Sequence, residues 1–251
     1  MIESRWKIRK LIAWQLLMAL MIASFIYGPT ASLWNQLDVA FFRLINGSLK
    51  EGKYWQIFWA CANHRMADWV EDVCILGFYL LLLRKTAKHL RPKKGAEILF
   101  TIFLIAFTVL FINRKLFSSY LKIPRISPTR AVEGSIRLSE LVPWLHVKDG
   151  SARSFPGDHG TTAILFAASY MILAGWRLGV FAILYGAFLC LPRLFTGAHW
   201  LSDVIVGSGC IAIFVLSWAF CSPFAHHVSN KLLKILRLFS TKKEKEAKIG
   251  H

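Results

Sequence analysis

Three short polar segments interrupt an otherwise apolar chain, and together they hold the residue types that phosphoryl transfer needs. One is Ser154-Phe155-Pro156-Gly157-Asp158-His159. Another is Pro192-Arg193, then five residues to His199 and three more to Asp203. The third, upstream, is Lys122-Ile-Pro-Arg125-Ile-Ser-Pro128. A histidine whose tautomer is fixed by a carboxylate keeps one nitrogen lone pair free and can attack phosphorus. His199 and Asp203, four apart, form that couple if a helix begins near Gly197 and places both on one face. The competing role for such a couple is a buried ion pair that only stabilises its helix. His159 opens an apolar helix, where first-turn amides bind anions, and its protonated ring is a general acid for the leaving oxygen. Gly157 and Gly160 let the backbone approach a phosphate, and Asp158 is read chiefly as a helix cap. Arg193 offers a planar fork for two phosphate oxygens, with Arg125 and Lys122 adding charge. No Asp/Glu cluster suits Mg²⁺ and no His/Cys set suits Zn²⁺, so the expectation is metal-independent, cofactor-free chemistry through a phosphohistidine.

The chain that must position these groups has 251 residues and is 55% apolar. That length fits one domain. Its apolar residues fall in runs long enough to cross a hydrocarbon core of about 30 Å. Six are predicted to span: 11–28, 68–84, 96–113, 160–176, 178–192 and 201–221. The second carries Glu71 and Asp72, and the fifth is short and ends at Pro192. The fold class expected is therefore all-α, a six-transmembrane-helix bundle over 1–221 followed by a basic tail at 222–251. Most of these runs lack the polar face a water-soluble helix needs.

Basic residues crowd the N-terminus (Arg5, Lys7, Arg9, Lys10), the acid-free 84–94 loop and the C-terminal tail. The positive-inside rule then puts both termini in the cytoplasm. All three polar segments fall at the outer end of the bundle. The substrate expected there is a phosphorylated lipid. The net charge of +17 has a second source in the outer 114–158 loop, with Arg114, Lys115, Lys122, Arg125, Arg130, Arg137, Lys148 and Arg153. A polyanionic ligand accounts for that density; unselective contact with lipid phosphates is the alternative.

Other features are weaker. The first apolar run is kept as an uncleaved anchor. Five scattered cysteines show neither zinc spacing nor a disulfide framework. In 33–47, Trp34, Leu37, Phe41 and Ile45 share a helical face, as in an interfacial helix or an ordinary packed one. Asn63-His64-Arg65 closes a short aromatic segment, its His–Arg pair either facing the site or purely structural. The 229–239 segment reads as a membrane-surface helix, with a frayed end from Thr241.

At the polar segments the chain resembles the type 2 phosphatidic acid phosphatase (PAP2) superfamily. That signature has a Lys…Arg-Pro part, Pro-Ser-Gly-His, and Ser-Arg-x5-His-x3-Asp. The third matches as Arg193, His199 and Asp203, with Pro192 in place of serine. The second matches as Pro156 and His159, with Gly157-Asp158 in place of Ser-Gly. The first is degenerate: Arg125 is followed by Ile-Ser-Pro, and Lys122 or Lys115 stands in for the lysine. Arg-Ile-Ser-Pro-Thr, Ser-Glu-Leu, Lys148-Asp149, Ser-Phe-Pro-Gly-Asp-His-Gly and Gly-Ala-His-Trp-Leu-Ser-Asp-Val-Ile-Val-Gly look like the lipid A 1-diphosphate synthase subfamily. The resemblance covers most of 60–210. It implies six helices, a site at the periplasmic face of the bacterial inner membrane, undecaprenyl diphosphate as donor and lipid A 1-phosphate as acceptor. A plain lipid-phosphate phosphatase using water shares every catalytic residue; a non-catalytic lipid-phosphate binder is the rival from another class. No nucleic-acid partner is expected.

Overall fold

A computed structural model describes residues 2–249, with side chains described through 238. Among these residues no strand forms, and one isolated parallel bridge joins Arg125 to Arg153. The main helices are α1 (Ile8–Ile26), α2 (Gly28–Gly47), α3 (Lys53–Asn63), α4 (Arg65–Lys85), α5 (Lys88–Leu121), α6 (Asp158–Ala174), α7 (Trp176–Phe195), α8 (Asp203–Cys221) and α9 (Phe224–Ile249).

α1, α4, α5, α6, α7 and α8 run alternately up and down one bundle. At one end the close of α1 meets the start of α6, with Phe25 stacked on Phe155 at 5.6 Å. The start of α4 meets the same place through Asp68 and His159. At the other end the Lys7 amide donates to the Cys221 carbonyl at 2.8 Å, and Lys94 donates to the Leu173 carbonyl at 3.2 Å. The starts of α1 and α9 therefore share the end opposite the polar segments.

Among the described residues four helices are long and apolar enough to cross a membrane: α1, α5, α7 and α8. Of the six spans expected from sequence, two do not meet that measure of length and apolarity, for two physical reasons. α4 carries Asp68, Glu71 and Asp72 in its first two turns, and α6 is only 17 residues long. Both still lie in the bundle. The third span also differs from expectation. It continues past 113 to Leu121, turning π-helical from Thr108, so that the Lys122 amide bonds five residues back to Phe117. Arg114 and Lys115 thus ride on a helix rather than in the outer loop, and Lys122 ends it in the left-handed region at φ 50°. Such wide turns recur at functional sites.

The core lies between α6, α7 and their neighbours. Phe166 and Tyr170 of α6 pack against Tyr79 of α4, Phe78 and Tyr185, and Ile211, Ala212 and Leu216 of α8 close the other side. The α6–α7 pair approaches closely because Gly186 faces Ala163 and Ala167: a Cβ there would sit 3.0 Å from the Ala163 carbonyl oxygen. Small residues at such a crossing allow backbones to meet without a driving force from water.

The expected amphipathic helix exists as α2, but its buried stripe is Asp38, Phe42 and Asn46, while Leu37 is exposed. Two polar side chains thus face inward, toward the outer loops. α3 and the 136–147 loop form a small second core, with Trp59 stacked on Phe195 at 3.8 Å and Leu138, Val142 and Val147 beneath. It caps the end of α7 and holds Asn63 in place. All five cysteines are free, three of them buried. α9 is helical to Ile249 where fraying was expected; the side chains of its end lie outside the described residues.

Candidate active site

The last turn of α7 and the turn after it carry Arg193 and His199. The chain reverses at Gly197, whose φ is +68° and whose absent Cβ would lie 2.6 Å from Thr129 and 2.8 Å from Phe42. Only glycine fits there. The following helix begins at Leu201, not near Gly197, so His199 precedes it. His199 and Asp203 therefore do not share a helical face, contrary to the sequence expectation. Asp203 instead reaches back, accepting from the Trp200 amide at 2.8 Å in the manner of a capping box.

That geometry reassigns the partner of His199. Its Nδ1 lies 2.6 Å from the Ser154 carbonyl oxygen and 3.7 Å from Asp203 Oδ2. A carbonyl only accepts, so Nδ1 carries the proton and Nε2 keeps its lone pair. Asp203, fully buried, gives one oxygen to the Trp200 amide and the other to Arg125. The free-lone-pair state inferred from the sequence is thus reached through a backbone oxygen rather than through the carboxylate. The segment supplying that oxygen is fixed in turn, since the Ser154 amide donates to the Arg125 carbonyl at 2.7 Å.

Arg125 was expected on phosphate. In the structure its guanidinium bridges two buried carboxylates, Asp203 and Asp38, the latter at 2.7 Å, with the Phe25 ring centroid 5.0 Å away. Asp38 also accepts from the Ser202 amide at 2.8 Å and from its hydroxyl. Both arms of the fork are spent on protein, which makes Arg125 the clamp on Asp203. Lys122 stands exposed at the end of α5, and no ion pair engages it among the described residues.

Arg193 and His159 do come together. Arg193 Nη1 donates to the Asn63 carbonyl at 3.0 Å and to Asn63 Oδ1 at 2.9 Å. Its Nη2 reaches Asp68 Oδ1 at 3.0 Å and His159 Nε2 at 2.7 Å. His159 Nδ1 contacts Asp158 Oδ1 at 2.9 Å, and Nε2 contacts Asp68 Oδ1 at 3.2 Å. Burial alone would lower the His159 pKa, but the bonds to Asp158 and Asp68 outweigh it and raise it to about 9. Burial likewise opposes ionisation of Asp158, yet its bond to His159 and the charges of His159, His199 and Lys148 hold it well below the usual carboxylate range. A charged imidazole 2.7 Å from a guanidinium nitrogen would set two donors face to face. The short Arg193 contact therefore suits the neutral ring and the Asp68 contact the charged one. Asp68 is the group that lets the two cations sit so close.

The two imidazoles meet the same helix start. A Cβ on Gly157 would lie 3.6 Å from His199 Nδ1, and His159 stands two residues further into the first turn. The Gly157 carbonyl is pinned by the Ser208 hydroxyl at 2.7 Å and the Thr161 hydroxyl at 2.9 Å. Beside His159 opens a cavity of about 210 Å³ lined by Asp68, Glu71, Asp72, Arg114 and Asp158. It shares Asp72, Ile75, Val109 and Thr162 with a more apolar cavity of about 340 Å³ that continues toward Tyr79 and Ile102. Among the described residues no group of three or more His, Cys, Asp and Glu is placed to hold a metal ion.

Residues 125–227 match the PAP2 superfamily. The lipid A 1-diphosphate synthase of Escherichia coli K12 is 30% identical over 192 residues, 76% of this chain and 78% of that protein. The chain belongs to the PAP2 superfamily. It is a lipid phosphatase or phosphotransferase of that family, with several apolar helices as in a multi-pass membrane protein. No solved structure matches it significantly.

Sequence reasoning missed Asp38, Asn63, Asp68 and the Ser154 carbonyl. Asp38 and Asp68 are acids within helical segments, a visible signal, whereas a backbone carbonyl leaves none. In Asn63-His64-Arg65 it is Asn63 that touches the site. His64 caps α4, its Nδ1 accepting from the Met66 amide at 3.2 Å.

Proposed function

We propose that this protein is a membrane phosphotransferase that moves a phosphoryl group from undecaprenyl diphosphate to the 1-phosphate of lipid A. His199 Nε2 attacks the terminal phosphorus. The bond from phosphorus to the bridging oxygen breaks, and His159 gives its proton to the departing undecaprenyl phosphate. An oxygen of the lipid A phosphate then attacks the phosphohistidine, and the P–N electrons return to Nε2. Arg193 holds phosphoryl oxygens together with the first-turn amides at Gly157, while Arg125 acts through Asp203, whose charge stabilises the His199 ring as it becomes cationic. Preorganised charge of this kind is the main catalytic term in phosphoryl transfer.

The observation that carries this reading is the 2.6 Å bond from His199 Nδ1 to the Ser154 carbonyl, which leaves the other nitrogen nucleophilic. A polar cavity at His159 that shares four lining residues with an apolar one favours an amphiphilic substrate. The similarity to a lipid A 1-diphosphate synthase favours the named donor and acceptor. In this reading the enzyme lies in the bacterial inner membrane, with cytoplasmic termini and a periplasmic site.

Donor labelled in its terminal phosphate tests it. Acid-labile label should remain on the wild-type protein and be absent from His199→Ala, and lipid A should accept the label. Release of free phosphate at one rate with and without lipid A would make the enzyme a phosphatase. Turnover persisting in His199→Ala would remove the covalent step, and no turnover in wild type would leave a binder.

A further inference from the structure

Asp68 occupies a position that the mechanism above does not use. Its Oδ1 lies 3.0 Å from Arg193 Nη2 and 3.2 Å from His159 Nε2, the groups assigned to grip the phosphoryl oxygens and protonate the leaving oxygen. One carboxylate oxygen thus sits where a phosphate oxygen must sit. Asn63 takes both bonds of Nη1, which leaves the Nη2 side of the fork for a ligand, and Asp68 stands on Nη2. A phosphate oxygen that is to take both Nη2 and His159 Nε2, as Asp68 Oδ1 does, must displace Asp68.

We propose that Asp68 is an internal competitor for the phosphoryl site, a specificity residue that admits terminal phosphates and turns away phosphodiesters. This rests on the transferase or phosphatase reading of the same site. The argument is one of charge and tethering. A phosphodiester headgroup carries a single negative charge, the same as the carboxylate. A tethered group competes at a high effective concentration, so an equal charge arriving from the bilayer loses. A terminal phosphate carries about −1.5 to −2 and a third acceptor oxygen, and it wins both donors. In a membrane full of phosphodiester lipids, that difference keeps the site from being blocked by its own solvent.

The surroundings give the displaced carboxylate somewhere to go. Asp68 lines the cavity of about 210 Å³ beside His159, and Arg114 lines the same cavity as a counter-charge. Asp68 itself is about a third exposed, unlike buried Arg193, so moving it uncovers little new surface. Its place in the first turn of α4 keeps it on a rigid element near the helix N-terminus, where a carboxylate is favoured.

The test uses full-length protein in detergent micelles with the lipid diphosphate donor, and reads inhibition by orthovanadate and by phosphatidylglycerol. Asp68→Asn keeps the shape and removes the charge. The expected result is a lower KM for donor and roughly tenfold tighter inhibition by phosphatidylglycerol, the worth of one charge-assisted hydrogen bond. Vanadate should tighten by a smaller factor. Asp68→Glu, which keeps the charge, should stay close to wild type and serves if the asparagine variant fails to fold. Unchanged or weaker inhibition in Asp68→Asn, or marked tightening in Asp68→Glu, would overturn the proposal and leave Asp68 as a mere support for Arg193. Failure of the underlying reading looks different: wild type itself would show no turnover and no vanadate inhibition.

Discussion

Asp158→Asn should shift the alkaline limit of activity. Asp158 Oδ1 accepts from His159 Nδ1 at 2.9 Å, and with Asp68 it raises the ring to about 9 against an ordinary 6.5. The charged groups facing this ring are Asp158 on its own helix, Asp68 on α4 and Arg193 on α7, with Glu71, Asp72 and Arg114 around the adjoining cavity. Because the folded value lies above the ordinary one, the protonated ring contributes stability that is complete below about 6.5. It is lost as pH rises through about 9. The general acid is lost over the same rise. Asparagine keeps an acceptor for Nδ1 and removes one of two carboxylate charges, and an opposite charge at this distance is worth about 1–3 pH units. The alkaline limb of kcat/KM should therefore fall from near 9 by about 1–2 pH units. A pH series from 6 to 10.5 with labelled donor in micelles measures it, alongside thermal unfolding at each pH. An alkaline limb unmoved by the substitution would refute the assignment of His159 as an acid charged by Asp158.

Three further outcomes follow from the same contacts. Asn63→Ala removes the side-chain bond to Arg193 Nη1, strands the Lys148 amide and takes a donor from the Thr196 hydroxyl; kcat/KM should drop roughly ten- to a hundredfold, with the rise in KM reporting lost phosphate grip. Arg125→Gln leaves buried Asp38 and Asp203 uncompensated and should cost about 3–5 kcal/mol, seen as a fall in Tm and folded yield. A raised KM with stability intact would instead place Arg125 on the substrate. Gly197→Ala should cost about 2 kcal/mol or more, from the left-handed backbone and the clash with Thr129 and Phe42, and a Tm equal to wild type would contradict that geometry.

The residues of the candidate site were legible before any fold was known. His159, Arg193, His199 and Asp203 stand out because polar groups inside long apolar runs are expensive and need a reason. The all-helical class followed from the same runs. Span count was less secure: the acids of α4 serve the site yet make that helix look less like a span.

Sequence by itself determined which side chains are present, how far apart along the chain they lie, and that they sit among apolar helices. Tertiary structure alone decided who holds whom. The Ser154 carbonyl rather than Asp203 accepts the hydrogen bond from His199 Nδ1, since the turn at Gly197 ends before the helix begins. Arg125 closes on two carboxylates because α2 brings Asp38 beneath it. Asp68 stands on Arg193 because α4 and α7 meet at one end of the bundle. Hydrogen bonds depend on positions within tenths of an ångström, and spacing along a chain does not fix positions between chain segments.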